Sequence, residues 1–196
     1  MPRRHQARIQ SRLIKPSPTF GHSSHFNIAE HCDWLAIADI DEFLFCKSGE
    51  SLADYLGRQT QFDVIYTNWT NFGSSGLTAQ PQSVRSSLQR SSLVLDRFAK
   101  IVFRTWLPQQ MEDIEVHGIR NVPPGRAKIA NHELQMNHYV TQSRDFWFNI
   151  KMKRGDVFYQ GQDLNRLAAR FDQINAACKD TCTRLRDLVT QQRPLS

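Results

Sequence analysis

Apolar and polar positions along the chain fall into a few distinct patterns. Trp34-Leu35-Ala36-Ile37-Ala38 is an unbroken apolar run that stops at acidic residues. Such a run predicts a strand covered on both faces, as in a parallel sheet. Residues 62–66 and 100–104 predict two further strands, and 115–117 a short fourth. Residues 134–139 alternate at first between apolar and polar, as a half-buried strand does. Helical spacing replaces alternation elsewhere. Residues 51–56 predict a short helix with Ser51 as its N-cap, and 84–92 another. A helical pattern starts at Ser143 and takes in Phe146 and Ile150. Leu164, Leu167, Phe171, Ile174, Leu185 and Leu188 predict one or two amphipathic helices over 164–189. Residues 27–31 predict a further short helix.

Between these elements the chain signals turns and loops. Residues 68–76 are rich in Asn, Ser and Gly, and Pro123-Pro124-Gly125 is a turn. Residues 1–25 are polar and basic and read as an extension. The main domain is expected over 26–160, followed by a helical segment over 161–196. Strands mixed with helices make the fold class α/β.

Composition narrows the class of molecule. With 196 residues and 40% hydrophobic content the chain can bury a core of its own. A net charge of +6 favours anionic partners such as nucleotide diphosphates, nucleic acid or an acidic membrane surface. Part of that charge is gathered in Arg3, Arg4, Arg8 and Arg12, and a charge run of this kind is usually a solvated face. Cys32, Cys46, Cys178 and Cys182 show neither a CxxC pair nor zinc-type spacing with histidine, so they are expected as reduced thiols. No apolar run approaches the roughly 20 residues that span a bilayer. The expected location is the cytoplasm, with the basic termini able to meet the inner face of the membrane.

The chemistry is concentrated at the end of the first apolar run. Asp39 and Asp41 are one residue apart, and in extended chain such residues share a face. Two carboxylates would then converge while Ile40 turns back to the core. Like charges repel, and a divalent cation removes that cost. Oxygen ligands of this kind suit Mg²⁺ or Mn²⁺, which would bridge the phosphates of a nucleotide and neutralise a departing diphosphate. A haloacid-dehalogenase-type phosphatase also places Asp-x-Asp after an apolar strand, with the first carboxylate as nucleophile. In this chain Phe43 follows, where that group usually carries Thr or Val. A nucleic-acid binder is a further alternative, resting on charge alone.

The stretch Trp34 to Leu44, reading WLAIADIDEFL, resembles the signature of glycosyltransferases related to families 2 and 92, which include many bacterial surface-polysaccharide enzymes. Three more blocks follow in the expected order. Trp69 with Phe72-Gly73-Ser74-Ser75-Gly76 resembles the Trp-x-x-Phe-Gly loop. Lys100-Ile101-Val102 with Val116-His117 resembles the next strand and histidine. Asn137-His138-Tyr139 with Ser143, Lys151 and Lys153-Arg154-Gly155 resembles the closing block. The resemblance implies a GT-A-like mixed sheet with flanking helices. It also implies sugar transfer from a nucleotide-sugar donor to a glycan or lipid-linked acceptor, with no nucleic acid expected as a partner. By the same resemblance Asp39, Asp41 and His138 hold the metal, and Trp69, Gly73, Ser74, Ser75, Gly76 and His117 shape the donor or acceptor pocket. Lys151 and Arg154 meet phosphate charge. For a catalytic base the candidates are Glu42, beside the metal pair, and Glu115. Only 38 residues precede Asp39, where such a domain usually has about a hundred. The nucleotide-binding front half is therefore expected to be missing or reduced, and a truncated, non-catalytic binding module is the alternative.

Overall fold

In the computed structural model, residues 31–108, 113–115, 117–153 and 164–191 are described. In chain order the elements are β1 (Trp34–Ala36), β2 (Glu42–Cys46), α1 (Leu52–Gly57), β3 (Val64–Asn71), α2 (Val84–Ser87), β4 (Arg90–Ser91), β5 (Ala99–Arg104), β6 (Ile114–Glu115), β7 (Gly118–Ile119), β8 (Ala127–Ile129) and β9 (Leu134–His138). There follow α3 (Arg144–Phe146), a π-helical turn (Trp147–Lys151), α4 (Leu164–Ala177), β10 (Asp180–Thr181) and α5 (Arg184–Gln191). The predicted N-terminal extension, the helix at 27–31 and Arg154 lie outside the described residues.

The main sheet runs β1-β5-β3-β9-β2, with β8 beside the first half of β3. It is mixed. β3 is antiparallel to β5 but parallel to both β8 and β9, which lie along one of its edges in succession. The break between them is bridged by Asn131, which accepts from the Asn68 amide through Oδ1 (2.9 Å) and donates to Asn68 Oδ1 (2.8 Å). The start of β3 is fixed by Asp63, which accepts two hydrogen bonds from Arg126 at 2.7 and 2.6 Å. Arg126 leaves the predicted Pro123–Gly125 turn, where Gly125 has φ of +77°, a region few other residues tolerate.

One face of the sheet packs Cys46, Ile65, Val102 and Leu134 against Tyr55 and Leu56 of α1. As predicted, Ser51 caps this helix, accepting from the Asp54 amide at 3.0 Å. The other face divides between a cluster around Val64, Ile101 and Phe103 and one joining Phe72, Leu88 and Tyr139 to Leu185 of α5. Trp147, Phe171, Ile174 and Cys178 form a fourth cluster between the π-helical turn and α4. The segment after residue 160 therefore shares cores with the sheet, and β10 pairs with β4. None of the four cysteines is in a disulfide.

The α/β expectation holds, and several local expectations are corrected. The run at 34–38 is a three-residue strand, antiparallel to β5 and half-buried, because among the described residues it pairs on one side only. The helix expected over 84–92 stops at Ser87. There the Ser75 hydroxyl accepts from both the Gln89 and Arg90 amides, and the chain leaves as β4. Residues 134–137 are all buried rather than alternating, because α5 covers the second face, where Arg184 donates to Gln135 Oε1 at 3.2 Å. β2 has no counterpart in the hydrophobic pattern.

Candidate functional site

The sheet face that buries Cys46, Ile65 and Leu134 at one end turns polar at the other. Alternation along each strand carries this change. Leu134, Met136 and His138 share one face of β9, and across the ladder Glu42 lies opposite His138 while Asn71 does so from β3. Lys100 enters the same face from β5. The four strand ends thus gather Glu42, Trp69, Asn71, Lys100 and His138 above the apolar core.

Asp39 and Asp41 reach this patch from a turn, which corrects the strand geometry expected for them. The Glu42 amide donates to the Asp39 carbonyl at 3.0 Å, closing residues 39–42 into a tight turn with Ile40 at its tip. Ile40 is 78% exposed and so does not return to the core. Each aspartate meets its own lysine. Lys100 Nζ lies 2.9 Å from Asp39 Oδ2 and 3.3 Å from Glu42 Oε2. Lys151 Nζ donates to Asp41 Oδ2 at 3.0 Å and to the Val140 carbonyl at 2.8 Å. The π-helical turn delivers Lys151 to this position, and such turns recur at functional sites.

The two lysines differ in setting. Lys100 is enclosed, its side chain 1% exposed, and Glu42 beside it is enclosed as well. Glu42 also accepts from the Asp39 amide at 2.8 Å, so it supports the turn. Burial pushes its carboxyl up to about 7 although Lys100 pulls the other way. Asp41 and Lys151 are less enclosed, each side chain 12% exposed.

His138 is the pivot. Asn71 Nδ2 donates to Asp96 Oδ2 at 2.7 Å, which turns Asn71 Oδ1 toward His138 Nδ1 at 3.0 Å. With Oδ1 as acceptor, Nδ1 carries the ring proton and Nε2 is left with a lone pair. Burial lowers the imidazole to about 4, outweighing the pull of Asp41, so the ring is neutral at physiological pH. Nε2 lies 3.9 Å from Asp41 Oδ2. Both groups are acceptors, and a divalent cation takes carboxylate oxygen and imidazole nitrogen ligands of this kind. Among the described residues no group of three or more His, Cys, Asp or Glu converges. The chain would supply two ligands, a number typical of Mg²⁺-type sites completed by substrate phosphates.

The aromatic residues form a wall. Trp69 lies against His138 with centroids 4.2 Å apart and the rings tilted by 41°, and meets His117 edge-on at 5.1 Å. His117 is tied back through Nδ1 to the Ala99 carbonyl at 3.0 Å. The glycine-serine loop is built into the fold instead. Asn175 Oδ1 accepts from both the Ser74 amide and hydroxyl, at 2.7 and 2.8 Å. Ser75 caps the start of β4, and a Cβ on Gly73 would come within 2.7 Å of Asn175. Gly76 has φ of +79°, as its turn requires. Glu115 sits in the β6–β7 hairpin and pairs with Arg120 at 2.9 Å.

Sequence reading overlooked Lys100, Asn71 and Asp96. Lys100 carried one readable signal, a lysine inside an otherwise apolar strand. Asn71 and Asp96 carried none, since their roles come from partners 67 and 25 positions away.

The sequence model of glycosyltransferase family 92 matches residues 22–177, well over half of the chain. No curated protein matches it.

Proposed function

The chain belongs to glycosyltransferase family 92, and we propose that it moves a sugar from a nucleotide-sugar donor to an acceptor hydroxyl with a divalent cation, Mn²⁺ or Mg²⁺. The observation that carries the metal-dependent part is the Asp41–His138 pair. It sets a carboxylate oxygen against a neutral imidazole nitrogen at 3.9 Å, at the rim of the sheet. A bound cation would neutralise charge gathering on the departing diphosphate.

In this reading Asp41 Oδ2 and His138 Nε2 are the protein's ligands. Asn71, held by Asp96, keeps the imidazole turned the right way, as partners of metal-binding histidines do. Lys151 exchanges its contact with Asp41 for a phosphate oxygen. Asp39, 61% exposed and anchored by Lys100, faces the donor beside the cation. Trp69 walls the pocket for the sugar. The acceptor is a glycan or a lipid-linked glycan, in keeping with a role in surface-polysaccharide synthesis. The enclosed Glu42 and the paired Glu115 are not assigned as the base.

Calorimetric titration of UDP and GDP, with and without Mn²⁺, tests this. One nucleotide should bind in a Mn²⁺-dependent way. Asp41→Ala should weaken that binding by at least about a hundredfold while leaving the melting temperature within a few degrees. Binding indifferent to Mn²⁺, or parent-like binding by the variant, would sink the assignment.

A further inference from the structure

The loop between β4 and β5 holds two large aliphatic side chains out in solvent. Leu93 is 79% exposed and Val94 77%. Leu95 and Phe98 continue this surface, and Ile129 adds to it across an adjoining cavity of about 550 Å³. Single exposed aliphatics are ordinary, but a contiguous group of them marks an interaction surface.

The loop is fastened at both ends. The Ser92 amide donates to the Asn71 carbonyl and the Asp96 amide to the Trp69 carbonyl, both at 2.9 Å. The Ser92 hydroxyl accepts from the Val94 amide at 3.2 Å and donates to its carbonyl at 3.0 Å. The apolar tip is therefore held outward by the backbone that carries the site.

Two exposed arginines flank the tip. Arg97 lies over the Phe98 ring at 4.8 Å and Arg90 flanks the loop on β4, while Lys128 at the cavity is paired with Glu133 at 2.6 Å. Among the described residues the cavity lining contains no acidic side chain. Asp96 turns inward, with Oδ2 accepting from Asn71 and Oδ1 from the Phe98 amide at 3.0 Å.

We propose that this loop and the adjoining cavity rim dock the protein on an anionic lipid surface. Leu93, Val94 and Leu95 enter the acyl boundary while Arg90 and Arg97 meet lipid phosphates. A protruding tip of a few side chains is small for a protein interface, which buries about 1,200 Å² or more in total. It matches a fluid apolar layer beneath an anionic one. No described helix is long and apolar enough to cross a membrane. Asp96 orients Asn71, and Asn71 orients His138, so the loop is joined to the Asp41–His138 pair through two hydrogen bonds. That the bilayer presents the acceptor rests on the transferase reading; the docking itself does not.

Co-sedimentation of the full chain with vesicles tests the docking. Vesicles of equal parts phosphatidylglycerol and phosphatidylcholine should bind it at about 0.1 M salt, and phosphatidylcholine alone should bind it more weakly. Leu93→Asp combined with Val94→Asp should lower partitioning at least about tenfold, with unchanged melting temperature and nucleotide binding. Arg97→Gln should weaken binding to the anionic vesicles alone. A chain left in the supernatant, or a double variant that partitions like the parent, overturns the proposal. So does a parent dimer, seen by sedimentation equilibrium, that the double variant dissolves without vesicle uptake. Nucleotide binding measured on the same variants separates failure of docking from failure of the transferase reading.

Discussion

Two polar loops leave strands of the same sheet, and they behave in opposite ways. Beside the turn at 39–42 the Asp41 carboxylate lies 3.9 Å from the His138 Nε2 acceptor, and Lys151 pairs with the carboxylate. The loop at 73–76 answers its polar groups from within the protein, through Asn175 and the start of β4. Both read as functional loops by residue type. What separates them is whether the partners are already present. A site keeps an unmet demand that a ligand satisfies, whereas a structural loop has none.

The largest effect expected on the turn comes from its enclosed lysine. Lys100→Met leaves Glu42 and Asp39 without their cation, and removing one partner of a buried pair costs about 3–5 kcal/mol. Guanidinium unfolding should show a loss of that order. A loss below about 1 kcal/mol would mean that the pair behaves as a surface salt bridge and that the turn is held by other contacts.

Next in size is a pH effect with two opposing parts. The folded pKa of His138 is lowered from 6.5 to about 4. Unfolding therefore takes up a proton between those values, and this contribution to stability is lost as pH falls from 6.5 through 4. Its ceiling is about 3 kcal/mol. Glu42 is raised from 4.5 to about 7, so its contribution is present below 4.5 and lost as pH rises through 7. The two largely cancel in the parent. Relative to it, His138→Gln should lose less stability on acidification from pH 6.5 to 4, and Glu42→Gln should lose more between pH 7 and 4.5. Denaturant melts across that range check both signs, and equal slopes in all three proteins would contradict the burial of these groups.

The smallest effect belongs to the second loop. Gly73→Ala forces a methyl against Asn175 Oδ1 and Cys178 Cβ, which should cost about 1–3 kcal/mol. Ser75→Ala should cost about 1 kcal/mol by leaving two amides without their acceptor. Neither should change nucleotide affinity of the folded protein. A tenfold fall in affinity at unchanged stability would move this loop into the site and end the contrast.

Much of the fold was legible because it rests on local rules. Ser51 caps α1, Gly125 turns the chain, and β3 and β5 announce themselves by β-branched and aromatic residues. β2 was missed because Glu-Phe-Leu-Phe-Cys follows the acidic motif without a break, so its period was hidden. The helix expected over 84–92 failed because Ser75, more than ten positions earlier, takes the amides that a helix would have used.

By itself, then, the sequence determined an α/β chain with an acidic motif after an apolar run, and the order of blocks that places it in its family. Those features are local in the chain, and propensity, period and spacing record them. Only the tertiary structure decided that Asp39 and Asp41 would each meet a different lysine. It also decided that His138 would be held neutral and turned toward Asp41, and that the glycine-serine loop would be spent on packing. Lys100 lies 61 positions from Asp39, and Lys151 lies 110 from Asp41. The charge state and orientation of a side chain depend on what surrounds it in space. Contacts across such separations exist only once the sheet has brought its strand ends together.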